Sequence, residues 1–279
     1  MFDFRYHALS LVAVFLALGI GIVLGSSLGD TVVSQANKDV RSSLQSDVVN
    51  ARNDARTAKQ AVSNRDNFIT ATFSRLAGGK LRGKRIAIVS SGDLPQDLES
   101  DVRTAVKDAG GQVDSVSKFD PNPDLVAISN KLGGRFQLLG TNPAQLRPGG
   151  RRLGKALVSG ARPAIKLKNS FPDDFSGDFR GADAVVYYRT NDKRDPKADQ
   201  FESALIAGMV DSGVPVVGIE RSEEDPSQIP FYVHAGMATV DNADQPAGRV
   251  ALALALDGAT GNYGFKSTAD APLPPGPKR

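Results

Sequence analysis

The chain is 279 residues long, 41% apolar and 23% charged, with a formal net charge of +3. It has no cysteine, no tryptophan, three methionines and two histidines, which excludes disulfides and thiolate metal sites, argues against a soft-ligand metal centre built from this chain alone and leaves little for catalysis with a histidine base. The charge balance is only mildly basic, far short of what nucleic-acid binding asks.

Residues 8–29 carry no charge, and residues 30–76 contain neither glycine nor proline. Together they predict one transmembrane helix running into a long extended helix. About 20 apolar residues cross a bilayer core as helix, so the first stretch is long enough to span. A cleaved signal peptide is the rival; its apolar region is about 7–15 residues and ends in a small-x-small site. Here the run is longer and no Ala-x-Ala follows, so an uncleaved anchor is expected. Arg5 precedes the span and Asp30 is the first charge after it. The excess of cations on cytoplasmic flanks then puts the N-terminus inside and the bulk of the chain outside. His7, at the border, reads as interfacial. Gly21, Gly25 and Gly29 lie four apart on one helix face, where a second helix could approach closely; glycine is also simply common in membrane helices.

After Asp30 a seam of apolar or small residues runs through Val33, Ala36, Val40, Leu44, Val48, Ala51, Ala55, Ala58, Val62, Ile69 and Leu76. From Val48 the steps alternate three and four, then become seven, which is the heptad pattern. Arg65 and Thr72 weaken it, and the successive steps of four through Leu44 read as a stutter. A helix polar nearly all round is not stable alone. The expectation is a parallel homodimer with Gly21, Gly25, Gly29, Val33, Val40, Leu44, Val48, Ala51, Ala55, Ala58, Val62 and Ile69 at its interface. The alternative is a helix folded back on its own globular part.

Gly78 and Gly79 end this helix. Lys80, Arg82, Lys84 and Arg85 form a basic hinge, read as a solvated linker, with contact to anionic lipid or wall polymer as the functional alternative. The apolar run at 85–90 fits a buried parallel strand. A helix at 96–109 and a strand at 112–116 complete a β-α-β unit. Residues 120–162 are helix-like but broken at 133–134, 143 and 148–150, with Arg147, Arg151 and Arg152 as a second, solvated basic cluster. The unit recurs as strand 182–188, helix 197–212 and strand 214–219. A short strand at 238–240, a turn at 241–245 and a helix from Pro246 to 257 follow. From 269 the chain is proline-rich and expected to be disordered.

The fold class is therefore α/β: an N-terminal transmembrane helix and long coiled-coil helix, then a doubly wound, Rossmann-like, mainly parallel sheet. The segments are 1–29 (cytoplasmic tip and anchor), 30–79 (stalk), 80–268 (extracytoplasmic α/β domain) and 269–279 (tail). Such a sheet binds ligands outside the C-terminal ends of its strands, here the loops 90–93, 189–195 and 220–225. None has a phosphate-loop pattern. The acidic run Glu220, Glu223, Glu224, Asp225 could hold a hard cation but reads first as a solvated loop. His234 and Met237, three apart, are weak metal candidates, since two ligands do not make a site. No catalytic serine, histidine and aspartate arrangement and no metalloprotease motif is present. No enzyme and no cofactor are expected.

The opening RYHALSLVAVFLALGIGIVLG at 5–25, and the closing TVDNADQPAGRVALALAL at 239–256 with GNYG at 261–264, resemble the two ends of the actinobacterial family named after mycobacterial copper transport protein B. The order between them also agrees. The resemblance implies an envelope protein of a high-GC Gram-positive bacterium. The family name implies copper transport, copper homeostasis or an outer-membrane location. The family is also linked to daughter-cell separation, with members acting as SteB-like partners of another membrane protein upstream of peptidoglycan hydrolysis.

Two functions follow as expectations. One is a membrane-anchored, homodimeric scaffold or regulator that binds another envelope protein and no nucleic acid. The alternative is copper transport, with copper as the cargo the resemblance implies. A degenerate nucleotide or sugar sensor is a third reading.

Overall fold

The computed structural model describes residues 4–275, and the side chains of residues 4 and 27–39 lie outside the described set. The glycine-face position Gly29 and the seam positions Val33 and Ala36 fall there, as does the end of the tail. The chain divides into two units, Met1–Asn64 and Arg65–Arg279.

A single helix, α1 (Phe4–Leu76), starts in the first unit and runs without interruption, as the lack of glycine and proline after Asp30 permits. Its segment Arg5–Ser26 is 22 residues long, has a mean hydropathy of 2.6 and is nowhere buried, so it is long and apolar enough to cross a membrane. Gly21 and Gly25 have open space on their faces. Val40, Leu44, Val48 and Val62 are exposed, as are Ala51, Ala55 and Ala58, so one chain leaves these seam positions uncovered.

The second unit begins inside the same helix. Ile69, Phe73 and Ala77 are spaced four apart and pack into the head's core. Ile69, on the seam by its spacing, is here partly buried against the head. The basic segment that follows is no free linker. Leu81 is fully buried and donates its N–H to the Ala109 carbonyl at 2.9 Å. Lys80 and Lys84 both reach Asp257, at 3.6 and 2.8 Å, and Arg85 pairs with Asp183 at 3.6 Å.

The sheet comprises β1 (Arg85–Ser91), β2 (Gln112–Phe119), β3 (Phe175–Gly177), β4 (Ala184–Arg189), β5 (Val216–Ile219), β6 (Ala238–Val240) and β7 (Asn262–Tyr263). Their order is β3-β2-β1-β4-β5-β6-β7. All neighbours pair in parallel except β2 with β3. The helices are α2 (Gln96–Asp108), α3 (Leu125–Leu132), α4 (Leu146–Ser159), α5 (Arg162–Ser170), α6 (Pro196–Val210), α7 (Ile229–His234) and α8 (Pro246–Leu256). Alternate strand residues feed two cores. Ile86, Ile88, Val186 and Val217 face α2, α8 and the end of α1, while Ala87, Val89, Val185 and Tyr187 face α3, α4, α5 and α6. Burial on both faces explains the unbroken apolar strands.

The region expected to break at 148–150 instead forms α4 straight through it. Pro148 falls in the first turn, where a helical N–H has no intrahelical partner to lose. Gly150 and Gly154 let α4 close on α6: a Cβ at Gly154 would lie 2.0 Å from the Leu205 carbonyl oxygen, and one at Gly150 would lie 2.8 Å from the Ala204 Cβ. The start of the tail is also tied down, because Asp270 donates its N–H to Asn262 at 2.7 Å and Gly264 donates to Ala271 at 3.0 Å.

Candidate functional site

Connections leave β1 toward β2 on one side and β4 toward β5 on the other, so the crevice at a reversal of strand order lies between the C-terminal ends of β1 and β4. In doubly wound sheets this is where ligands bind. The three loops singled out from sequence do converge here. Thr190 donates its N–H to the Ser91 carbonyl at 3.0 Å, and the Asn191 amide donates to Glu224 at 2.6 Å.

The crevice is filled by the protein's own side chains. The Arg194 side chain is 2% exposed. Its Nη1 donates to the carbonyls of Thr190 and Asp192, both at 2.8 Å. Its Nη2 donates to the Ser91 carbonyl and Oγ at 3.1 and 3.0 Å. Its Nε lies 2.9 Å from Oε2 of buried Glu202. Glu202 Oε1 accepts from the Tyr187 hydroxyl at 2.7 Å and from Arg189 Nε at 3.2 Å. Arg189 also donates to Gln228 and Asp199, each at 2.6 Å, and stacks 4.0 Å over the Phe231 ring. The Tyr232 hydroxyl accepts the Arg189 N–H at 2.9 Å and donates to the Ile219 carbonyl at 3.1 Å. Burial, reinforced by Glu202, pushes the Tyr187 phenol well above its ordinary range; burial does the same to Tyr232. Neither phenol is poised as a proton donor near neutral pH.

Thr190 closes what remains. Gly92 has φ +96°, and a Cβ there would lie 2.2 Å from Thr190 Oγ1. Between Ser91, Phe119, Tyr187 and Glu202 a cavity of about 10 Å³ is left, room for about one water. A small-molecule site is typically about 300–1,000 Å³.

The acidic run is likewise divided. Glu220 is fully buried. Its carboxylate accepts from Lys266 Nζ at 2.6 Å, Ser227 Oγ at 2.9 Å and the Gln228 N–H at 2.6 Å. Burial, then the Glu220 charge, raises Glu224 above the usual carboxylate range. Burial pushes Asp244 upward too, but hydrogen bonds from Ser222 and Gln245 outweigh it and leave Asp244 low. Glu223 and Asp225 are exposed. No group of three or more His, Cys, Asp or Glu placed to hold a metal occurs among the described residues. His234 is exposed on α7, while Met237 is buried in a core cluster, so the structure does not bring these two into one opening.

The closing motifs have structural work. Asp241 accepts the N–H groups of Phe265 and Lys266, each at 2.9 Å. Gly264 must be glycine, since a Cβ there would lie 1.7 Å from Asp241 Oδ1. Asn262 receives the Thr239 hydroxyl at 3.1 Å. Sequence reasoning did not single out Arg194, Glu202 or Lys266 for this role. Their only signal is that a charged residue inside an apolar-patterned helix, such as Glu202, must find a partner.

These features define a class: an α/β protein with an N-terminal helix long and apolar enough to cross a membrane and with the crevice between β1 and β4 occupied by its own side chains. The family model described as "Copper transport outer membrane protein, MctB" matches residues 1–160 and 176–274, and the chain belongs to that family. Relatives named "Copper transporter MctB" from Mycobacterium bovis and Mycobacterium tuberculosis are 27% identical over 312 aligned residues, covering 95% of this chain and 96% of theirs. A relative of the same name from Mycobacterium leprae is 26% identical over 313, covering the same shares.

Proposed function

We propose that the chain is a non-enzymatic scaffold or regulator of the cell envelope. Its single span anchors it with the N-terminus in the cytoplasm. A parallel homodimeric stalk carries the α/β head, which binds another envelope or membrane protein in cell separation or envelope integrity. The self-filled crevice carries this reading: Arg194, Thr190 and Glu202 occupy the volume a metabolite would need. The uncovered seam supports the dimer, because an apolar stripe on a long polar helix needs a partner in water. Imaging of a fluorescent fusion, with affinity purification from solubilised membranes, tests the reading. Septal enrichment and one dominant envelope partner are expected; a uniform signal with no partner overturns it. Sedimentation equilibrium of the solubilised full chain tests the stalk, and a strict monomer at high concentration removes the dimer.

A second reading, copper transport, is favoured by the name its relatives carry. Copper(I) prefers thiolate and thioether ligands, whereas this chain has no cysteine and both Met209 and Met237 are buried in the core. Growth of a deletion strain across a copper series decides it. Unchanged tolerance and unchanged cell copper eliminate transport.

A further inference from the structure

Charge is distributed very unevenly along this chain. Residues 125–172 hold nine Lys and Arg and no Asp or Glu. The chain as a whole has 34 cations and 31 anions, so the remainder is left with 25 against 31 and is net acidic. In the fold the cationic stretch supplies α3, α4 and α5, a layer on one face of the sheet. Lys131, Arg135, Arg147, Arg151, Arg152, Lys155, Arg162 and Lys166 are all exposed. Arg151 and Lys155 share Asp211, at 3.3 and 3.9 Å. Among the described residues no carboxylate lies within ion-pair reach of Arg147, Arg152 or Arg162.

This layer borders a groove of about 730 Å³ between α4, α6 and α7. Its apolar part comes from Ala204, Ala207 and Phe231, and its rim from Arg147, Arg151 and His234. Asp199, also on the lining, is already committed to Arg189 at 2.6 Å. Ala204 is held short where α6 is pressed against α4: a Cβ at Gly150 would lie 2.8 Å from its Cβ, and one at Gly208 of α6 would lie 2.2 Å from the Arg151 carbonyl oxygen. A shallow apolar floor thus lies under a cationic rim.

We propose that this groove docks an acidic, amphipathic segment of a partner protein, its apolar side on Ala204, Ala207 and Phe231 and its carboxylates against Arg147 and Arg151. The assignment rests on the scaffold reading and names the surface and chemistry by which the head would bind. An anionic lipid surface or phosphodiester polymer would use the cations and leave the apolar floor without a role. A helix-in-groove segment uses both. The chain's own acidic run is poorly placed to serve as a second-copy ligand, because Glu220 is buried on Lys266 and Glu224 is engaged by Asn191.

The test uses the full chain in nanodiscs and a labelled synthetic peptide with glutamates on one helical face and leucine and alanine on the other. The control is a permuted peptide of the same composition without that face. The amphipathic peptide is expected to bind at least about tenfold more tightly, a difference of about 1.4 kcal/mol. Arg147→Glu and Ser203→Trp, both at exposed positions, should each abolish the preference, while Lys107→Glu on α2 should leave it intact. Equal binding of the two peptides overturns the proposal. So does stronger binding of polyphosphate or anionic vesicles, or self-association that Ser203→Trp removes. Affinity purification from cells separates the two levels. If the Arg147→Glu, Ser203→Trp chain still recovers the partner that the parent chain recovers, the groove assignment falls and the scaffold stands. If the parent recovers none, the scaffold falls, and the peptide measurement alone judges the groove.

Discussion

Replacing Glu202 by glutamine keeps the shape of the side chain and removes the one charge shared by the buried Arg194 guanidinium and the partly buried Arg189 guanidinium. Arg194 Nε lies 2.9 Å from one oxygen, and Arg189 Nε lies 3.2 Å from the other. At an effective dielectric of about 20, a pair at the shorter distance gains about 6 kcal/mol of gross Coulomb energy. Part of that offsets the desolvation of both ions, and breaking such a pair from one side costs about 3–5 kcal/mol, because the other charge stays buried and alone. Arg189 keeps Asp199, so most of the loss falls on Arg194. In a unit of this size 1 kcal/mol moves the melting temperature by about 2–4 °C, so Glu202→Gln should lower it by roughly 6–20 °C. Near-ultraviolet tyrosine signals read the head specifically, since Tyr187, Tyr188, Tyr232 and Tyr263 all lie in it and are buried. Arg194→Met with Glu202→Gln should cost less than the sum of the two single changes. A loss below about 1 kcal/mol for Glu202→Gln, or strict additivity in the cycle, would refute the claim that this charge pair holds the crevice shut.

Further outcomes follow from the same geometry. Gly154→Ala forces a Cβ to 2.0 Å from the Leu205 carbonyl oxygen and should destabilise the head by about 1–3 kcal/mol, read in urea unfolding. Gly92→Ala should cost a similar amount through its Thr190 contact and its φ of +96°; Thr190→Ala in the same chain should recover part of that loss, and no recovery would mean that backbone strain alone was responsible. The raised Glu224 carboxyl favours its protonated form in the folded state. Its contribution is therefore present below the ordinary glutamate range and lost as pH rises through the folded value. Glu224→Gln should then stabilise by less than about 1 kcal/mol at neutral pH, with the advantage vanishing on acidification. Asp244 is held low, so its contribution is present above the ordinary aspartate range and lost as pH falls through the folded value. Asp244→Asn should accordingly destabilise at neutral pH and be silent in acid. Leu44→Asp with Val48→Asp should shift the solubilised chain from dimer to monomer in sedimentation equilibrium.

The elements that were legible in sequence are those whose pattern carries their burial. The charge-free run before Asp30 and the glycine-free run after it are both readable as helix, and α1 spans them unbroken. The apolar strands β1 and β4 announce themselves because both of their faces are covered. What sequence concealed is set by tertiary contacts. Pro148, Gly149 and Gly150 look like a break, yet they form the start of a helix in which Gly149 makes room for Leu139 and Gly150, with Gly154, meets α6. β3 and β7, of three and two residues, are too short for a period and exist only as additions to a neighbour. Lys80 and Lys84 resemble a free basic hinge because Asp257, which holds them, lies more than 170 residues later. The loops at the strand ends were readable as a location. Their content was not, since nothing local to Arg194 says that its guanidinium turns inward to Ser91 and Glu202.

The bond between Glu220 and Lys266 spans 46 residues, and it sets an order on biogenesis. As the chain leaves the ribosome, β1 to β6 can be assembled well before Lys266 and the β7 turn that Asp241 grips exist outside the tunnel. Until then Glu220 has the neutral donors Ser227 and Gln228 but no counter-charge, a state whose cost opposes completion of that end of the sheet. Burial of Glu220 and docking of the segment that carries Lys266 are therefore coupled steps of one closure.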